Sequence, residues 1–470
     1  MSTENAPEIL QAAGLPRAEA ERLAAPPPSG AGVAAEWPAL QGWLAARAEA
    51  RRRLPVRPRR SDPEQAAAAL LLTGDRAARE GFLSRHAAAV YDRLTADRTR
   101  LLRLPELAYA AAAAYPGLVP TRAEVARERE QPQMHQDGLQ IDQGIFLAHC
   151  FADPERGLHL LHAMGQPTAA AQARLADFRR SGRAELPSMT LARLGQEGRI
   201  TFHHQAWLNA EDDEYQEALE TLVDLALLDD AVRVVVLRGA PQVKQKYAGR
   251  RVFGSGINLT QLYHGRISLI EFMLVRETAP LTKIYRGLCR PGAPPPSVHH
   301  DVDDRIEKPF IAAVDSFAIG GHCQMLLIMD RVIAERGAYF NLPARKEGII
   351  PGLANLRLPR FVGERPTRQG IFFNRQFPAE SPEGRLLCDE VVEGEAAMEA
   401  AIAASAAELL SAGVTSLVAN RRALRLGAEP LDLFRRYMAT YSREQAYCMY
   451  SPALIDNLVR NWNAAERKLG

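Results

Sequence analysis

The sequence predicts an α/β core from about residue 198 to 394, set between a mostly helical amino-terminal region and a helical tail. Three observations predict it. Composition changes near residue 198: before it the chain is rich in Ala, Arg and Leu and repeatedly broken by proline. Beyond that point β-branched runs recur with helical stretches, the pattern of strands alternating with helices. From Glu395 onward the pattern is helical again. The chain therefore divides into 1–197, 198–394 and 395–470.

In the first region Asp62-Pro63 reads as an N-cap followed by proline, opening a helix over Ala66 to Leu72. Further helical runs cover Phe82 to Leu102, Ala108 to Ala114, Gln143 to Met164 and Thr168 to Arg180. In the second, Ile200 to Trp207 reads as a strand, Asp213 to Leu228 as an amphipathic helix and Val232 to Leu237 as a buried strand. Pro309 to Val314 is another strand, with a glycine turn and a helix over Cys323 to Met329 behind it. Short strands follow at Val332 to Glu335 and Tyr339 to Asn341.

Bulk properties narrow the function classes. With 470 residues, 47% hydrophobic and 24% charged, the chain can bury a sizeable core. A formal charge of +2 gives no field that argues for nucleic acid. The five cysteines, Cys150, Cys289, Cys323, Cys388 and Cys448, form no CxxC pair, which points to a reducing compartment. The amino terminus lacks the apolar segment of a secretory signal, and no apolar stretch is long enough to span a membrane. The expectation is a soluble cytoplasmic protein with no nucleic-acid or membrane partner.

Two glycine turns stand out. One is Phe253-Gly254-Ser255-Gly256-Ile257-Asn258-Leu259; the other, Ala318-Ile319-Gly320-Gly321-His322-Cys323-Gln324, follows a strand and opens a helix. Glycine lets backbone approach a ligand closely, and a helix start leaves N–H groups unpaired. Two such groups aimed at one oxygen make an oxyanion hole. Gly254-Ser255-Gly256 is no dinucleotide fingerprint, because Leu259 stands where the third glycine belongs.

Order makes the pattern specific. Leu208-Asn209, Val232 to Gly239, the first glycine turn, Lys308 to Val314, the second glycine turn, Phe340-Asn341-Leu342-Pro343 and Gly348-Ile349-Ile350-Pro351-Gly352 occur in succession. From about residue 199 to 465 this succession resembles the enoyl-CoA hydratase/isomerase, or crotonase, superfamily. The resemblance implies a spiral ββα core, a bound CoA thioester and a homo-oligomer, a trimer or dimer of trimers, built through the helical tail. It also implies that the backbone N–H groups of Ile257 and Gly321 hold the thioester oxygen. A backbone donor of that kind is worth roughly 3–4 kcal/mol to the enolate.

The departures from the superfamily matter as much. Where its hydratases carry two glutamates, this chain has Gln324 and Ala344. Hydration needs one group to activate water and another to return a proton, and neither an amide nor a methyl can do so near neutral pH.

An oxyanion hole without those acids is similar to that of the 3,5-dihydroxyphenylacetyl-CoA dioxygenases of glycopeptide-antibiotic biosynthesis. The Gly320-Gly321-His322-Cys323-Gln324 turn, the Val275-Arg276-Glu277 segment and the long helical amino-terminal region carry that closer resemblance. It implies oxidation of the substrate's α-carbon by O2 and release of 3,5-dihydroxyphenylglyoxylate and CoA, with no metal and no flavin. It further implies that Glu211, Arg276 and Gln324 bind the ring hydroxyls. Leu259, Ala344, Ile349, Pro351 and Gly352 are the small or apolar residues expected around an oxygen pocket, with ordinary core packing as the alternative for each. Lys244, Lys246, Arg250 and Arg251 are basic residues near the first turn, left unassigned between CoA phosphates and a basic loop. The group that removes the α-proton also stays open, Glu211 included.

Three other readings compete. His299, Asp301 and His322 form a superficial 2-His-1-carboxylate set for a metal. The same fold could run oxygen-independent isomerisation, hydrolysis or decarboxylation of an acyl-CoA. A degenerate scaffold could bind acyl-CoA without catalysis.

Overall fold

A computed structural model describes residues 5–30, 32–297, 304–411 and 413–467. The helices expected before residue 182 form with other limits, and the run expected to reach Leu102 ends at Leu94, where Ala96, Asp97 and Arg98 turn left-handed. Asp62–Leu94 is one helix capped by Ser61 rather than Asp62, because Glu64 reaches back to accept from the Ser61 N–H at 2.7 Å. The run ending at Met164 splits into Gln140–Ala152 and Pro154–Met164, where Asp153 and Pro154 start a new helix.

The main sheet begins earlier than the compositional change. Arg183–Leu186 and Met189–Leu194 form an antiparallel hairpin that pairs onto Glu197–Phe202. From there the sheet runs parallel through Val234–Gly239, Phe310–Val314, Arg331–Glu335 and Glu390–Val392, seven strands in all among the described residues. The strand expected through Trp207 ends at Phe202, where the chain turns away.

Val234–Gly239 and Phe310–Val314 are buried at every residue, as a parallel strand covered on both faces must be. On one face Val235, Leu237 and Ala312 pack against the Asp213–Leu228 helix; on the other Val234, Val236 and Ile311 pack against Glu395–Ser411.

A second sheet joins Phe317–Ile319, Tyr339–Asn341 and Phe377–Pro378. Two turns of the core run from a large-sheet strand to a small-sheet strand to a helix. Phe310–Val314, Phe317–Ile319 and Gly321–Leu326 make one such unit; Arg331–Glu335, Tyr339–Asn341 and Ala344–Glu347 make the next. This is the ββα spiral.

The amino-terminal helices share an apolar core with the carboxy-terminal helices and the segment around residue 270. Phe82, Phe146, Phe272, Met273, Phe434 and Met438 belong to it. Gln140–Ala152 lies against Leu431–Met449 so closely that a Cβ on Gly144 would overlap Ala446 and the Ser442 carbonyl. The same helix braces the segment ahead of Arg276, since the Gln140 carboxamide oxygen accepts from the Leu269 N–H at 2.9 Å.

Candidate active site

The two glycine turns, far apart in sequence, meet. Ile319 N–H donates to the Gly254 carbonyl at 3.0 Å, which ties the first loop to the strand leading into the second. Gly256 and Gly320 then lie face to face in left-handed backbone, φ +82° and +56°. A Cβ on Gly320 would stand 3.1 Å from the Gly256 Cα and 3.9 Å from the Ile257 N. Only glycine combines that backbone with that approach.

Glu211 is fastened to the same loop. Leu208 and Asn209 are both left-handed, φ 54° and 58°, and swing the chain so that Glu211 N–H donates to Gly256 O. Asn258 N–H returns a bond to Glu211 O, each at 2.7 Å. These bonds leave the Ile257 N–H unused, and Gly321, first residue of its helix, has its N–H free by the geometry of a helix start.

Beneath Gly321 lies a buried ionic cluster centred on Arg276. Its Nε and Nη2 donate to the two oxygens of Glu211 at 2.9 and 3.2 Å, and Nη1 donates to Glu277 at 2.6 Å and to Gln324 at 3.0 Å. Nη2 also donates to the Gly321 carbonyl at 2.6 Å. Arg276, Glu211, Glu277 and Gln324 are all buried. Burial opposes the guanidinium charge, but Glu211 and Glu277 outweigh it and hold Arg276 above its ordinary range. The segment arrives through a π-helical turn, Leu269–Leu274, which feeds the helix Val275–Thr278. Such turns gather at functional sites.

Glu277 was not singled out from sequence. Its second oxygen, Oε2, is buried and without a hydrogen-bond partner among the described residues. Its pairing partner, Arg276, is adjacent in sequence, so only the cavity reveals it.

A cavity of about 30 Å³ lies against this cluster. Ile257, Gly320 and Gly321 line it, with Glu211, Arg276, Glu277 and Gln324 on one side. Ala344, Ile349, Pro351 and Gly352 line it as well, four of the five residues expected around an oxygen pocket. Leu259 stands apart from them, on a neighbouring cavity of about 370 Å³. Trp207, Lys244, Tyr247, Lys346 and Arg467 line that larger space. Of the other basic residues, Arg251 is paired to Glu395 and Lys246 lies over the Tyr247 ring.

His322 plays a structural part. It is fully buried among Phe202, Tyr215 and Phe253, and a Cβ on Gly254 would overlap its ring. Gly256 N–H donates to Nδ1 at 3.4 Å, which leaves Nε2 protonated toward the Tyr215 hydroxyl at 2.9 Å. Burial pushes its pKa down to about 4, so the ring is neutral. Both ring nitrogens of His322 are thus engaged; His299, His300 and Asp301 lie outside the described residues.

The enoyl-CoA hydratase/isomerase family pattern matches residues 301–442. The chain is 46% identical over 405 residues to the (3,5-dihydroxyphenyl)acetyl-CoA 1,2-dioxygenase of Amycolatopsis orientalis, covering 86% of this chain and 90% of that one. The chain belongs to the enoyl-CoA hydratase/isomerase family. A probable enoyl-CoA hydratase of Rhizobium meliloti is 36% identical over 134 residues, 27% of this chain and 52% of its own. Among solved structures, an enoyl-CoA hydratase from Bacillus halodurans aligns with a TM-score of 0.47 at 19% identity, over 58% of this chain and 99% of that one. As an enoyl-CoA hydratase/isomerase family member the chain is extended: a match of 405 residues exceeds the sheet-bearing stretch from 183 onward and takes in amino-terminal helices. Among its described residues no single helix is long and apolar enough to cross a membrane.

Proposed function

We propose that this protein is a dioxygenase converting (3,5-dihydroxyphenyl)acetyl-CoA and O2 to 3,5-dihydroxyphenylglyoxylate and CoA, with neither metal nor flavin. The observation that carries the reading is the 46% identity with the Amycolatopsis orientalis dioxygenase, sustained over 90% of that enzyme. The site supports it. Ile257 and Gly321 N–H groups would bind the thioester oxygen and stabilise the enolate as its charge develops.

The ring reaches toward Arg276 by widening the cavity, whose volume of about 30 Å³ by itself holds no more than one or two molecules the size of water. A hydroxyl there donates to the unpartnered Oε2 of Glu277, and Glu211, Arg276 and Gln324 hold the other. Leaving either hydroxyl unpaired would cost about 1–3 kcal/mol, which gives the site its preference for a dihydroxylated ring.

The enolate transfers one electron to O2. Superoxide and the substrate radical join as a peroxide at the α-carbon, whose distal oxygen attacks the thioester carbonyl and expels CoA thiolate. The O–O bond then breaks as the second α-proton leaves, giving the keto acid. O2 takes the space left beside the ring, against Ala344, Ile349, Pro351 and Gly352. Ala344, Ile349, Pro351 and Gly352 keep that space dry, which protects the peroxide.

The reading carries with it a place in glycopeptide-antibiotic biosynthesis, a cytoplasmic location and assembly as a trimer or dimer of trimers. Among the described residues no cysteine forms a disulfide, which suits a reducing compartment. Exposed Phe361, Phe372, Phe373, Leu424 and Leu426 provide apolar surface for assembly.

The test is incubation of metal-free protein with (3,5-dihydroxyphenyl)acetyl-CoA, following oxygen uptake and the keto acid by mass. One O2 consumed per keto acid is expected. Turnover in strictly anaerobic buffer would instead indicate an isomerase, hydrolase or decarboxylase, and tight binding without α-proton exchange a non-catalytic scaffold.

A further inference from the structure

The proposed reaction starts with loss of a proton from the α-carbon. Glu211 is poorly placed to take it, because both its oxygens are held by Arg276. Glu277 has one free oxygen, but it lines only the small cavity, where the ring sits.

Just two residues line both the 30 Å³ cavity and the 370 Å³ one: Ile257 and Glu347. They mark the neck between the acyl site and the space for the CoA arm. A thioester bound with its oxygen on the Ile257 N–H has its carbonyl carbon in that neck and its α-carbon at the edge of the small cavity. Glu347 closes the helix Ala344–Glu347, and Gly348 behind it, φ +84°, turns the chain away against Leu454. Its carboxylate has no hydrogen-bond or ion-pair partner among the described residues.

We infer that Glu347 is the catalytic base that takes the α-proton. The inference rests on the function proposed above. The C–H bond breaks, the proton passes to a Glu347 carboxylate oxygen, and the electron pair moves to the thioester oxygen held by Ile257 and Gly321. No oxidant is needed for this step; O2 enters only afterwards. The charged groups around the neck fit the role. Arg276, Glu211 and Glu277 are committed to one another on the acyl side, while Lys244, Lys346 and Arg467 line the arm side. Burial raises the Glu347 carboxyl to about 7, against a lowering by Lys346, which suits a base working near neutrality.

This residue stands one helical turn beyond Ala344, where hydratases of the superfamily carry a glutamate.

The test is proton exchange without oxygen. Arylacetyl-CoA is incubated anaerobically in deuterium oxide with wild type, Glu347→Gln and Glu347→Asp, and deuterium at the α-carbon is followed by mass. Glu347→Gln is expected to slow exchange by at least about 100-fold, with Glu347→Asp intermediate. A folded Glu347→Gln that exchanges like wild type overturns the inference. Should Glu347→Gln not fold, the wild-type profile decides. An exchange rate that rises with pH through one ionisation at about 7 supports the base, and a profile flat across that range removes it. Absence of any exchange by wild type would instead defeat the proposed function itself.

Discussion

Arg276 donates through Nη2 to the carbonyl oxygen of Gly321, 2.6 Å away. In the proposed reading, the residue whose N–H would bind the substrate oxygen is held from behind by the side chain that would face the substrate ring. One guanidinium would then set both the floor of the ring pocket and the tilt of an oxyanion donor, coupling ring recognition to rate.

That coupling predicts the behaviour of Arg276→Lys. Lysine keeps the charge but cannot reach Glu211, Glu277, Gln324 and Gly321 together, because an ammonium lacks the planar fork. Turnover should fall by about 100-fold, the scale of losing one oxyanion donor, with the KM for the CoA thioester changed far less. Arg276→Met should destabilise the fold by about 3–5 kcal/mol, because it strands two buried carboxylates. Urea unfolding alongside steady-state kinetics measures both.

Gly321 can be probed in two ways. Gly321→Pro deletes the N–H and should abolish turnover in a protein that still folds. Gly321→Ala keeps the N–H but places a Cβ onto Glu211 Oε2 and Arg276 Nη2. The ionic cluster must then shift, and kcat should drop by roughly 10- to 100-fold. Near-normal activity in a folded Gly321→Pro would contradict the site.

Ala344→Val should act on oxygen rather than on the CoA thioester. Two added methyl carbons take up much of a 30 Å³ cavity. The apparent KM for O2 is expected to rise several-fold while thioester affinity holds. An unchanged KM for O2 would move the oxygen site elsewhere.

His322 sets an acid limit on stability. Its folded pKa of about 4 lies below the ordinary 6.5, so between those values the unfolded chain binds a proton that the folded one refuses. Stability from this residue is full above pH 6.5 and is lost as pH falls toward 4, by up to about 3 kcal/mol. Denaturation at pH 7 and pH 5 should show the loss, and His322→Asn should flatten the slope over that interval.

Much of the fold was readable in the chain. Val232 to Leu237 and Pro309 to Val314 announced themselves as buried strands because parallel strands covered on both faces need unbroken apolar runs. Their observed limits differ by one or two residues. The hairpin Arg183–Leu186 and Met189–Leu194 was less legible. The outer strand alternates exposed and half-buried residues and the second alternates mostly buried and half-buried ones, and both carry charged residues, Arg183, Glu185 and Arg193, like the helices before them.

In the site, the motifs located Ile257, Gly321, Glu211, Arg276 and Gln324, but not what joins them. Glu277 follows Arg276 directly, a spacing that carries no pairing signal. Glu347 sits in Ala344-Arg345-Lys346-Glu347, which reads as a solvated helix end. Leu259 looked equivalent to Ile349 as a small apolar neighbour of a glycine turn, yet it faces the larger cavity.

By itself the sequence determined the order of strands and turns and the loss of two hydratase acids, because periodicity and residue type are local properties. It also determined that two glycine turns exist, since positive φ and close approach demand that residue. Only the tertiary structure decided that the turns face each other, that Arg276 grips Gly321 from below, and that Ile257 and Glu347 share one neck. Those relations join residues far apart in the chain, and they depend on which side chains packing leaves without a partner.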